Sequence, residues 1–349
     1  MPPPHVPYSP TQQATAWLRR RLGRAVVVSY ATALLLPGLG LWLRREHTLP
    51  LGPSVLPVSA APLLLSLVLF SAGLQVSVRE LGRLLRKPTA LLAGLAMHLL
   101  IPLLVIPVVA FVLRQSPDTD GGSGLITATI LIVAMPVAAG ATVWTGKRDG
   151  DQPTMVGLVL ASTLLSPLTA PLVIRVLTPL LSHDYATTLS TTADTTRGAF
   201  ALVSVVLPCA AGILCRITLP PTWCSRVVAG VVPVALVASL VLTYVNASGA
   251  LGSFLTSPRP LLFCAALLVA ALVCLLSFTL GRAAARVLRL DSPTASSLTL
   301  ACGMNNSSAS AVLLTTTLPD KPHLLLPVLA YGLLQKTAAS RVVAAASRS

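Results

Sequence analysis

Two short stretches hold the groups best suited to bind a solute. The first, Gly303-Met304-Asn305-Asn306-Ser307-Ser308, lies inside the apolar run from Ser296 to Leu314 around which the chain is organised. The second, MPVAAGATVW from Met135 to Trp144, sets Pro136, which has no backbone donor, ahead of a loosening Gly140. Each unpaired polar group in hydrocarbon costs several kcal/mol, so amide-rich or interrupted backbone persists there only within protein or beside a wet cavity. A helix broken at that depth turns N–H groups toward anions and carbonyls toward cations. Two titratable side chains add to this chemistry. His98, in LLAGLAMHLLIPLLV, is the histidine deep within an apolar segment and can exchange a proton near neutral pH. Lys336, in AYGLLQKTAAS, can place a fixed ammonium opposite an anionic solute.

The elements that must position these groups are membrane spans. Of 349 residues, 54% are hydrophobic and only 10% charged, and the mean hydropathy is +0.82; such a chain is a polytopic membrane protein. The net charge of +15 comes from arginines in short loops on one membrane face, with no basic stretch interleaved with aromatics, so no nucleic-acid partner is expected. Six cysteines show no CxxC and no histidine at metal spacing, which predicts neither disulfide nor metal site, and no cofactor. HExxH, GxSxG and paired intramembrane acids are absent, which argues against an intramembrane enzyme.

Apolar segments of spanning length fall at 25–43, 54–76, 88–113, 124–146, 154–181, 198–219, 227–247, 260–280, 293–317 and 323–346. This predicts an all-α protein of ten transmembrane helices. Residues 1–24, proline-rich and then arginine-rich, read as a cytoplasmic disordered tail. Arginines on both sides of 25–43, and the lack of a small-residue cleavage site, make this a retained span rather than a signal peptide. With both termini on one side, that side holds the four N-terminal arginines with Arg79, Arg83, Arg86, Lys87, Lys147, Arg148, Arg216, Arg226, Arg282, Arg286, Arg289, Arg341 and Arg348, whereas the other holds Arg44, Arg45, Arg114, Arg197, Arg259 and Lys321. The positive-inside rule therefore makes both termini cytoplasmic. Five spans per half, 25–182 and 198–346, predict two inverted repeats, with the interrupted fourth and ninth segments in corresponding places. Arginine greatly outnumbers lysine, which points to a GC-rich bacterial source and hence to the inner membrane.

Four stretches in order, LVLFSAGLQVSVRELGRLLRKP (67–88), AMPVAAGATVWTGKRDGD (134–151), ASTLLSPLTAPLV (161–173) and ACGMNNSSASAVLL (301–314), resemble the bile acid:sodium symporter family. The resemblance implies a core domain with two crossing discontinuous helices, segments four and nine, beside a panel domain, with the substrate passing between them. It also implies two sodium sites. The positions matching the ligands of the first are Ala141, Thr142, Met155, Val159 and Ala301, which leave one hydroxyl where a hard cation wants about 5 or 6 oxygens. Those matching the second are the carbonyls of Ala301, Cys302 and Met304, the amide of Asn305, and His98 in place of a glutamine. Lys336 falls where the family places a polar, substrate-facing residue, and Asn306, beside Asn305, is a candidate to bind substrate or ion.

The expectation is a secondary transporter of a small organic anion, working by alternating access and coupled to protons or running as an exchanger rather than to sodium by the usual two-site scheme. A symporter that retains one sodium site and a non-transporting membrane sensor of the same fold are the alternatives. Each site residue also has a plain structural role open to it. Asn305 and Asn306 can be interhelical glue worth roughly 0.6–2 kcal/mol, His98 can bond a neighbouring carbonyl, Thr142 can back-bond within its helix, and Lys336 can snorkel to the cytoplasmic face. Partners beyond the solute and the bilayer, a homo-oligomer included, are not indicated.

Overall fold

The computed structural model describes residues 17–18, 21–45, 47–51, 54–76, 88–114, 122–146, 150–192, 201–256 and 258–346. Most of the expected tail, and the basic loops with Arg79, Arg83, Arg86, Lys87, Lys147 and Arg148, lie outside the described residues.

The helices are α1 (Leu22–Leu35), α2 (Pro37–Arg44), α3 (Ala60–Leu74), α4 (Pro88–Leu113), α5 (Ser123–Val133), α6 (Ala141–Gly146) and α7 (Gln152–Leu177), followed by α8 (His183–Thr192), α9 (Leu207–Thr218), α10 (Pro221–Thr256), α11 (Pro260–Val287), α12 (Ser292–Gly303), α13 (Ser307–Thr317) and α14 (Leu325–Ala346). Among the described residues α4, α7, α10 and α11 are long and apolar enough to cross a membrane alone, and α1 with α2 adds a bent fifth. The fold is thus that of a helical, polytopic membrane protein. The ten apolar segments do not all become membrane-length rods, however, and α3 and α5 are shorter apolar helices.

Two expectations of helix are corrected. The segment 25–43 is not one continuous helix but two helices bent by 94°. Leu36, at φ −132° and ψ 62°, leaves the helical region where the ring of Pro37 crowds it. Tyr244 of α10 satisfies the backbone freed at this bend: its hydroxyl donates to the Leu36 carbonyl at 2.6 Å and accepts from the Gly40 N–H at 3.0 Å. The segment 54–76 begins not as helix but as a strand. β1 (His47–Leu51) and β2 (Ser54–Val58) form an antiparallel hairpin with Leu51 opposite Ser54. Pro50 and Pro57 lack the donors that a helix needs, and short edge strands tolerate them.

Packing divides the helices into two groups. In one, α10 lies against α1, α2 and α3, and α3 against α9. The α3–α9 crossing is closed by glycines: a Cβ on Gly73 would overlap the Cys209 carbonyl, and one on Gly212 the Phe70 carbonyl. In the other group α11 packs on α12, α14 and α4, and α4 on α7 and α5. Every residue of α5 is buried, so this helix, apolar all round, is the centre of its group rather than a lipid-facing element.

Candidate functional site

Both expected interruptions are present, and they meet. In the first half α5 ends at Val133 and the helix resumes as α6 at Ala141; in the second, α12 ends at Gly303 and α13 starts at Ser307. Between them Val137 and Asn305 pair as an isolated antiparallel bridge. The Ala138 N–H donates to the Met304 carbonyl at 2.8 Å, and the Asn306 N–H to the Pro136 carbonyl at 2.9 Å. Each break thus supplies partners for backbone that the other has freed, as a low-dielectric interior requires.

Side chains complete this pairing. The Val137 N–H donates to Ser162 Oγ of α7 at 3.1 Å. On the other side the Tyr331 hydroxyl of α14 donates to the Gly303 carbonyl at 3.0 Å and accepts from Asn305 Nδ2 at 3.2 Å. Asn306 caps α13, its Oδ1 accepting from the Ala309 N–H at 3.1 Å. Gln335, one turn beyond Tyr331, donates to Ser307 Oγ at 3.4 Å. Asp151 joins the starts of α7 and α12: its carboxylate caps Thr154 and accepts from Thr294 Oγ1 at 3.3 Å, while its carbonyl accepts from Ser297 Oγ at 3.1 Å.

A cavity of about 550 Å³ opens beside the first break, between the two helix groups. Val137, Gly140, Thr142 and Gly146 form one wall, α7 a second, and residues of α3, α9 and α10 with Leu22 of α1 the rest. Its polar groups are the hydroxyls of Ser71, Thr142, Thr163 and Ser239 and the amides of Gln75 and Gln152. Two of these are oriented by bonds of their own. Gln152 Nε2 donates to the Thr142 carbonyl at 3.0 Å, and Gln75 Nε2 to the Ser71 carbonyl at 3.0 Å. A half-open, mainly apolar cleft with a few oriented amides is a usual form of a small-molecule site.

Of the residues singled out from sequence, Gly140, Thr142 and Val159 line this cavity, and the Thr142 hydroxyl back-bonds to the Ala139 carbonyl at 2.7 Å. Asn305, Met304, Ala301 and Cys302 are buried behind it at the crossing. His98 is buried on α4, among whose neighbours is α12. Lys336 is half-buried on α14 and is not part of the cavity wall. Ala141, Met155, Val159 and Ala301, the positions that the resemblance matches to sodium ligands, are all buried in the apolar core. Sequence reasoning missed Ser71, Gln75, Gln152, Thr163 and Ser239. A signal existed for one pair: Ser71 and Gln75 stand one turn apart in an otherwise apolar segment, which sets both on one helix face.

A search of curated proteins gives no match. The family model for the sodium bile acid symporter family matches residues 62–257, a stretch that takes in most of α3, the first break, α7 and all of α10, and therefore most of the cavity wall. The members of that family are transporters, not enzymes. With more than half of its length matched, and with a solute-sized cavity at a paired break, the chain belongs to the sodium bile acid symporter family.

Proposed function

We propose that this protein is a secondary active transporter that moves a small organic anion across a bacterial inner membrane by alternating access, with both termini cytoplasmic. The observation that carries this is the cavity of about 550 Å³ lying between two helix groups and against a paired break. Displacement of one group against the other would open it to either side in turn. In this reading the group holding α4–α7 and α11–α14 is the core domain, the group holding α1–α3, α9 and α10 the panel, and 25–182 and 198–346 are inverted repeats.

Coupling is to protons, or the transporter is an exchanger. Ala141, Met155, Val159 and Ala301 offer no side-chain oxygen, and their burial among apolar neighbours leaves little for a hard cation to gain. His98, buried beside the ninth segment, is the residue proposed to carry the proton. Lys336 supplies a positive charge on the substrate pathway.

Purified protein in proteoliposomes, loaded with a carboxylate or sulfonate chosen from a thermal-shift screen, tests the proposal. Counterflow should proceed equally in sodium and choline salts and should respond to an imposed pH gradient. Ligand-dependent stabilisation without counterflow would favour a sensor, and strict sodium dependence a symporter with one surviving site.

A further inference from the structure

The two breaks are secured in the same way, and the positions involved correspond between the halves. Ser162 stands 25 residues after Val137 in the chain, and Tyr331 26 residues after Asn305. Each belongs to the long helix that comes after its own broken segment, α7 after α6 or α14 after α13, and each is fully buried, at 0% exposure. Ser162 takes up a freed N–H, that of Val137. Tyr331 takes up a freed carbonyl, that of Gly303, and holds the side chain of Asn305. Because Val137 and Asn305 are themselves bridged, the path runs without interruption from Ser162 through both breaks to Tyr331.

We propose that the hydroxyls of Ser162 and Tyr331 are a repeat-related pair of positioning residues that lock the crossing from its two ends, so that protein donors and acceptors, rather than a bound ion, hold its geometry. Each hydroxyl makes a second bond that fixes its orientation. Ser162 Oγ donates to the Val159 carbonyl at 3.1 Å, which leaves its lone pairs facing Val137. The Tyr331 hydroxyl has both its donor and an acceptor position engaged. Loss of either hydroxyl strands buried polar groups, and the backbone bridge should transmit the disturbance to the opposite half.

This inference concerns the crossing that the proposed transport cycle uses, yet its test requires no substrate. Full-length protein in nanodiscs is compared by amide hydrogen exchange for wild type, Ser162→Ala, Ser162→Thr and Tyr331→Phe. Both Ser162→Ala and Tyr331→Phe should speed exchange about tenfold in two peptides at once, 134–142 and 300–308, with α10 and α11 unchanged. Ser162→Thr, which keeps the hydroxyl, should restore wild-type rates. In wild type the rates should be equal in sodium chloride and choline chloride. Should Tyr331→Phe fail to fold, the serine variants carry the test alone. Acceleration confined to the mutated half overturns the proposal, as does wild-type exchange at 300–308 slowed about tenfold by sodium.

Discussion

Substitution of Gly212 by alanine should loosen the α3–α9 crossing and with it one wall of the cavity. A Cβ at Gly212 would overlap the Phe70 carbonyl oxygen and stand 2.7 Å from the Leu74 backbone nitrogen and 3.1 Å from the Gly73 carbonyl carbon. Backbone cannot rotate away as a side-chain tip can, so the two helices must part by roughly 1 Å before contact distances become ordinary. Overpacking of this kind costs about 1–3 kcal/mol, and the rigidity of the obstructing atoms places this case near 3 kcal/mol. For a chain of this size about 2 °C of melting temperature is lost per kcal/mol, which gives a drop of roughly 6 °C. The assay is thermal unfolding of the purified protein followed by tryptophan fluorescence, with Gly230→Ala as control because a Cβ there meets nothing within 4 Å. Ser71, Gln75 and Cys209 all line the cavity from these two helices, so ligand-induced stabilisation should fall along with the melting temperature. A Gly212→Ala protein that melts within about 1 °C of both wild type and control would refute the close-contact reasoning.

Tyr244→Phe removes the hydroxyl bound to Leu36 and Gly40; melting should fall by about 1–2 kcal/mol equivalent, and a spin-label pair across the α1–α2 bend should report a broader distance distribution. Gln152→Leu deletes the donor to the Thr142 carbonyl in the cavity wall, so the apparent affinity in counterflow should weaken about tenfold with folding intact; an unchanged KM would remove Gln152 from the site. His98→Gln should abolish the response of uptake to a pH gradient while leaving exchange at equal pH measurable. Lys336→Gln should abolish net transport without lowering the melting temperature, and full activity would deny the ammonium any role.

The breaks at 135–144 and 303–308 were legible because proline, glycine and asparagine interrupt apolar runs whose other polar residues are serines and threonines, which can bond back to their own helix. Their partnership was legible only as equal placement in two halves; that Ala138 finds Met304 and Asn306 finds Pro136 is a tertiary fact with no local trace. The bend at Leu36 carried a signal in Leu-Pro-Gly, yet average hydropathy over 25–43 passes across it without change. The hairpin before α3 was hidden for the same reason, since Val and Leu serve a strand as well as a helix end. Most of the cavity wall comes from α3, α7 and α10, whose polar residues are isolated hydroxyls and amides scattered among apolar neighbours. Tyr331 escaped because a tyrosine in an apolar segment reads as bulk, and its hydroxyl gains meaning only once Gly303 and Asn305 are found opposite it.

The burial of α5 along its whole length bears on how the protein is made. Its 11 residues extend about 16 Å, half of a hydrocarbon slab about 30 Å thick. Such a stub, leaving the translocon alone, would present the open peptide ends of its break to lipid. It needs α4 as a chaperoning neighbour and can settle only after its counterpart in the second half has been synthesised, so truncated chains ending before α12 should remain prey to membrane proteases.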